Sequence, residues 1–126
     1  MILVDTSIWI DYFKGVESAI PLSALIETNN ICTNELILAE LLPSVKFRKE
    51  NILMHLLESM EKLPMDIGWR EIANFQIYNL RNGINNVGIP DLIIAQNAIQ
   101  NDLSLYARDK HFPLMKRHLG LKLYEP

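Results

Sequence analysis

A single cysteine, Cys32, is the only thiol in this 126-residue chain. That excludes an internal disulfide. Its setting, NNICTNEL, reads as an ordinary buried thiol and leans toward a reducing, cytoplasmic location. Long apolar runs are also missing: none reaches about 18 residues, so no membrane span is expected. The start, MILVDTS, has a charge at position five and no basic flank, and is not expected to be a signal peptide. Positive charge is in deficit, with 12 Lys and Arg against 15 Asp and Glu and a formal net charge of −3. A globally basic nucleic-acid binder is therefore excluded, and any polyanion must be met by a local patch, by metal, or by both. Repeats, low-complexity stretches and linkers are absent, and the length suits one domain, 1–126. The histidines His55, His111 and His118 show no HxxxH or Cys/His spacing, which argues against zinc. Ser7 lies in no G-x-S-x-G elbow, and no Walker A or G-x-G-x-x-G pattern occurs.

Present instead are apolar residues at 49% of the chain, enough for a real core, with carboxylates placed where apolar runs end or break. Asp5 ends MILVD, Glu40 interrupts LILAELL, Asp91 opens DLIIA, and Asp109 follows LSLYAR. Ile2–Val4 reads as a short strand, with Asp5-Thr6-Ser7 supplying cap chemistry for a helix through Ile8–Phe13 that Gly15 ends. A helix is expected over Ser18–Thr28, then a strand at Ile31–Thr33. Thr33 or Asn34 caps a helix Glu35–Leu42, which Pro43 perturbs or ends. Phe47–Glu61 reads as a helix with Ile52, Leu53, Leu56, Leu57 and Met60 on one face. Leu63–Ile67 is a strand or an extended link. Trp69–Arg81 is helical up to the stop Asn82-Gly83, and Pro90 suits the first turn of a helix running to Gln100. Leu103–Tyr106 is a strand, His111–Leu119 a helix and Leu121–Tyr124 a last strand.

Strands alternating with helices predict an α/β fold with a parallel sheet covered on both faces. Ligands of such sheets bind outside the carboxyl ends of the strands. Asp5 and Asp109 follow strands, Asp91 lies in the first turn of a helix, and Glu40 one to two turns into another, so all four can reach one edge. Asp5 and Asp109 would also serve as helix caps, and Asp91 would favour a helix dipole by roughly 0.3–1 kcal/mol. Glu40, among its apolar neighbours, is either near the helix surface by accident or placed for chemistry. Acids gathered in one pocket repel: at about 4 Å and an effective dielectric near 20, each pair costs on the order of 4 kcal/mol. Such a pocket needs bound cations or protonated acids, and the first option is a hard-metal site for Mg²⁺ or Mn²⁺. Asp11 is expected to be solvated, Asp66 and Asp102 to be turn residues, and Trp9 and Trp69 to be core or interface residues. Basic residues cluster at Lys46, Arg48 and Lys49, at Arg108 and Lys110, and at Lys116-Arg117. Arg108 and Lys110, which flank Asp109, are the candidates for phosphate contact.

These stretches, MILVDTSIWIDYF, ELILAELL, GIPDLIIAQNA and LYARDKHF, resemble the four acidic motifs of the PIN-domain nucleases. Length and spacing are similar to the VapC toxins of bacterial and archaeal VapBC toxin–antitoxin pairs, and the resemblance covers essentially the whole chain. It implies a three-layer α/β/α sandwich with a mostly parallel sheet and Mg²⁺- or Mn²⁺-dependent cleavage of RNA, often tRNA or rRNA. It implies a homodimer and a VapB-like antitoxin that covers the site. Asp5, Glu40, Asp91 and Asp109 would then be catalytic metal ligands, with Thr6 or Ser7 holding a ligand or phosphate. No general-base histidine is needed. The apolar helices Ser18–Thr28 and Phe47–Met60 become dimer or antitoxin surfaces. Ala107 departs from the family, which usually has Thr or Ser two residues before the last acid. The alternatives are a catalytically weak PIN-like binding domain, or a PIN nuclease of RNA processing without an antitoxin. A receiver domain lacks its paired acids here, and an Asp-x-Asp phosphatase would need an acid where Ser7 stands.

Overall fold

Ile2, Leu3 and Val4 are buried on both sides of the backbone, the pattern of an inner strand in a parallel sheet covered on both faces. The computed structural model describes residues 1–126. It contains five strands, β1 Ile2–Val4, β2 Ile31–Thr33, β3 Glu61–Lys62, β4 Ser104–Tyr106 and β5 Lys122–Leu123. Seven α-helices connect them: α1 Thr6–Phe13, α2 Pro21–Glu27, α3 Glu35–Phe47, α4 Asn51–Ser59, α5 Trp69–Arg81, α6 Ile89–Gln100 and α7 His111–Leu119. The strands form one sheet in the order β3-β2-β1-β4-β5, and every pairing is parallel.

From β1 the chain moves outward to β2 and β3, then crosses back to place β4 on the other side of β1. Crossovers are right-handed, so reversing direction along the sheet moves the connecting helices to the opposite face. Helices α1 to α4 therefore form one outer layer and α5 to α7 the other, giving the three-layer α/β/α sandwich. The reversal also makes β1 and β4 neighbours at the switch point, where α/β sheets open a crevice at their carboxyl ends. Asp5 sits on that rim: its backbone N–H donates to Tyr106 O at 2.8 Å, continuing the β1–β4 ladder past Val4.

One buried polar link crosses between the layers there. Asn34 caps α3 through Ile37 N–H at 2.8 Å, and its Nδ2 donates to Asn97 Oδ1 of α6 at 2.9 Å. Asn97 Nδ2 in turn donates to Pro64 O at 3.0 Å. The helix carrying Glu40 is thus tied to the helix carrying Asp91. Asn97→Ala would strand both a donor and an acceptor, and should cost about 1–3 kcal/mol. Urea unfolding with an unchanged m-value checks this, and a midpoint equal to wild type would refute it.

Several local expectations are corrected. Pro43 does not end its helix: α3 runs through it to Phe47. The bond it removes falls at Ala39, on the exposed side, while Leu38, Leu41 and Val45 keep the inner side docked. The helix expected from Phe47 starts at Asn51, because the chain turns at Arg48–Glu50 with Lys49 at φ 57. Phe47, the last residue of α3, is 88% exposed, and Ile52 is 86% exposed because the inner face of α4 runs through Leu53, Leu57 and Met60. The segment expected as Ser18–Thr28 is split into a 3₁₀ turn, Glu17–Ala19, and α2, with Pro21 starting the second part. Of the two tryptophans expected in the core or an interface, Trp9 is fully buried in the core and Trp69 is 63% exposed.

Candidate active site

The acids stand at four depths on the rim. Asp5 is 5% exposed, Asp91 and Asp109 are half-buried, and Glu40 is exposed. Asp5 caps α1 with extended backbone (φ −68, ψ 155). Its Oδ2 accepts Ser7 N–H at 3.1 Å and Ser7 Oγ–H at 2.6 Å. Thr6 Oγ1 donates to Glu40 Oε1 at 2.8 Å, bringing the exposed glutamate of α3 against the start of α1. Asp109 Oδ1 accepts His111 N–H at 2.8 Å and so also serves the start of α7. For Asp5 and Asp109, cap and rim position are the same placement, because strand-to-helix turns lie at the carboxyl edge of the sheet.

Asp91 records the convergence. Burial is the largest cause pushing its pKa up, and the charges of Asp5, Asp109 and Glu40 add to it, with His111 opposing, to give a value of about 6. Acids separated by up to 104 sequence positions therefore act on one carboxyl. Asp5 is likewise pushed above the usual carboxylate range, chiefly by burial, with hydrogen bonds from Ser7 and the Thr6 amide pulling it back and Asp109 adding repulsion. Two raised carboxyls in one place mean that the folded chain holds negative charge at a cost which a cation or protons must relieve.

Could this set hold a divalent ion? The donors are hard carboxylate oxygens, with Cys32 remote and buried in β2. No three acid, histidine or cysteine side chains converge into a ready-made cage. Mg²⁺ does not require one: it keeps several waters and commonly takes one or two carboxylates directly. The open, oxygen-only, mutually repelling arrangement fits such an ion.

Three cavities lie beside the cluster rather than on it. A groove of about 210 Å³ between α1 and α3 reaches Glu40 and has Lys14 and Arg48 on its wall. A second, of about 350 Å³, lies between α3 and α4. The third, about 300 Å³, is bordered by Asp11, Tyr106, Arg108 and Tyr124.

The remaining candidates divide. Lys110 is exposed next to Asp109. Ser7 does more than cap, since its Oγ also accepts Arg108 N–H at 3.2 Å, joining the loop after β4 to Asp5. Ala107 supplies no hydroxyl, but Ser7 Oγ provides one to the adjacent residue. Arg108 is not a free cation over the acids: its guanidinium donates to Asp11 Oδ1 at 2.9 Å, although the side chain is otherwise 63% exposed. Asp11, expected in solvent, is buried at 3% exposure. It lies three residues after buried Ile8 on the inner stripe of α1, and its partner is 97 residues away. Asp102, expected in a turn, is in one, with φ 53. His111, which has no zinc-type spacing in the sequence, stands at the site: its Nδ1 lies 3.0 Å from Asp109 Oδ1. The Nδ1–Oδ1 approach is out of line for a hydrogen bond, that oxygen being aligned on the His111 amide instead. Position two after the last acid was the only sequence signal for it.

The chain matches the PIN domain profile over residues 2–117. Among solved structures it is similar to VapBC2 from Rickettsia felis, bound to a DNA fragment from their promoter, with TM-score 0.73 and 24% identity over 98% of each chain. It is also similar to FitAcB from Neisseria gonorrhoeae, with TM-score 0.66 and 21% identity over 99% of this chain and 97% of that one. At these identities the likeness speaks for the fold. No curated protein matches it. A profile match over nearly its whole length makes this chain a member of the PIN-domain family.

Proposed function

We propose that the chain is a Mg²⁺- or Mn²⁺-dependent endoribonuclease and the toxin of a VapBC-type pair, acting as a single domain over residues 1–126. The observation that carries this reading is Asp91: burial, and then the charges of three acids from other elements, press on one half-buried carboxyl, a cost that protons relieve at low pH and that a cation would relieve at neutral pH. Membership in the PIN family supports the choice of nuclease.

Asp5, Asp91, Glu40 and Asp109 would hold the ion. When bound, it supplies Lewis acidity toward water and phosphate and offsets the charge of the acids. The chain's own residues do the rest. Ser7 holds Asp5 Oδ2 with both its amide and its hydroxyl, Thr6 holds Glu40, and the His111 amide holds Asp109. Three of the four acids are therefore oriented before substrate arrives, which limits reorganisation during reaction. Exposed Lys110, with Lys14 and Arg48 along the groove beside Glu40, provides cations for the flanking phosphates of a polyanion that a chain of net charge −3 would otherwise repel. Attack by water leaves a 5′-phosphate and a 3′-hydroxyl.

An antitoxin and a second copy of the chain complete the reading. Ile20, Phe47 and Ile52 leave apolar surface on the segments expected to be covered. The similar VapBC2 structure, named as a complex, agrees with a two-protein system. No helix is long and apolar enough to cross a membrane, and we place the pair in the cytoplasm.

The deciding experiment is digestion of end-labelled RNA with and without Mn²⁺, using wild type and Asp5→Asn. Cleavage that needs Mn²⁺, leaves 5′-phosphates and disappears in Asp5→Asn is expected. Equal cleavage by the two proteins, or cleavage unaffected by chelator, would end the proposal.

A further inference from the structure

The Asp11–Arg108 ion pair takes no part in the chemistry proposed above, yet it joins the two segments on which that chemistry depends. Asp11 belongs to α1, the helix that Asp5 caps. Arg108 immediately precedes Asp109 in the loop after β4. The Asp11 side chain is 5% exposed and accepts Arg108 Nη1–H at 2.9 Å. From the same helix, Ser7 Oγ accepts the backbone N–H of Arg108 at 3.2 Å and donates to Asp5 Oδ2 at 2.6 Å. Ser7 and Asp11 are four residues apart, one above the other on a single helix face. One grips the loop by its backbone and the other by its side chain, at the same residue.

A surface ion pair normally contributes little, because water competes for both partners. This one differs in that its carboxylate is buried. Removing the guanidinium would leave an uncompensated charge in the interior, so the pair resists separation. An exposed arginine tied to a buried acid is a tether, and it ends one residue from a proposed metal ligand.

We propose that Asp11 is a positioning residue: through Arg108 it clamps the loop after β4 onto α1 and so sets where Asp109 stands relative to Asp5. Its consequence for metal and RNA rests on the nuclease reading; its consequence for the loop does not. The clamp also gives Arg108 a role other than phosphate contact.

The test uses the full chain as wild type, Asp11→Asn, Arg108→Gln and the double variant. Mn²⁺ affinity is measured by titration calorimetry, kcat and KM on a short RNA, and backbone amide exchange across residues 107–110. Either single variant should weaken Mn²⁺ binding and lower kcat by about tenfold each, as loss of an orienting partner does, with KM little changed. Exchange in the loop should rise, and the double variant should be no worse than either single, because both break one contact. If either single variant does not fold, Arg108→Lys, which keeps a cation opposite Asp11 but loses the guanidinium fork, is judged by the same readouts. A raised KM and a flatter salt dependence in Arg108→Gln, with Asp11→Asn silent, would make Arg108 a phosphate contact and overturn the clamp. A lowered Tm with unchanged Mn²⁺ affinity, kcat and loop exchange would make the pair mere packing and overturn it too. If wild type neither binds Mn²⁺ nor cuts RNA, the nuclease reading falls, while loop exchange in Asp11→Asn still decides the clamp.

Discussion

Asp91→Asn should lower Mn²⁺-dependent RNA cleavage by about 10²–10³-fold, the scale of losing one preorganised electrostatic group from an active site. In the same protein, without metal at pH 8, it should raise the melting temperature. The two effects share one cause. With a folded-state pKa of about 6 against an unfolded value near 3.9, the folded protein binds the Asp91 proton more tightly than the unfolded chain does. The stability from that proton is complete below about pH 4, is lost as pH rises through about 6, and is absent at pH 8. A difference near two pH units corresponds to at most roughly 3 kcal/mol. Because Asp91 is half-buried and solvent screens part of the interaction, about 1–2 kcal/mol is the expected gain from the neutral amide. That amounts to several degrees in a domain of this size. An asparagine variant that is less stable than wild type at pH 8 without metal would remove the electrostatic account of the site, and one with full activity would remove its catalytic account.

Divalent metal should reverse the pH slope that these acids impose. Without metal, the raised carboxyls of Asp5 and Asp91 favour the folded chain at pH 5 over pH 8. A bound ion stabilises the ionised acids, so metal competes with protons and its benefit should appear only above about pH 6. At a free Mn²⁺ concentration one hundred times Kd, the gain at pH 8 is about 2.7 kcal/mol. It should shrink toward zero at pH 5. Thermal melts across this range with chelator and with Mn²⁺ measure both slopes. Parallel curves, or a Mn²⁺ shift that persists undiminished at pH 5, would mean that these carboxyls do not hold the ion.

The course of the chain was legible where local chemistry decides it. Ile2–Val4 read as a short strand and is β1, Asn82-Gly83 read as a stop and follows the end of α5, and the span of α5 emerged as expected, at Trp69–Arg81. Legibility failed where a distant partner overrides a local preference. Pro43 would stop an isolated helix, but the docked side of α3 carries the helix through it. Ile52 is expected on the core face, yet Leu57 sets the inner face of α4 and Ile52, five residues earlier, stands outside it. Asp11 looked like a solvated helical acid because nothing near it in sequence announces Arg108.

The site shows the same division. Composition and pattern by themselves determined that this chain has a sizeable core, that it has no internal disulfide, and that its acids stand at the ends or interruptions of apolar runs. Those properties follow from side-chain chemistry and periodicity, which are local. Only the tertiary structure decided that β4 returns beside β1, that Glu40 meets Thr6, that Asp91 feels three other acids, and that Arg108 turns to Asp11 instead of standing free. The physical reason is that desolvation and Coulomb interaction depend on distance through space, and a strand crossing the sheet changes those distances without changing a single neighbour along the chain.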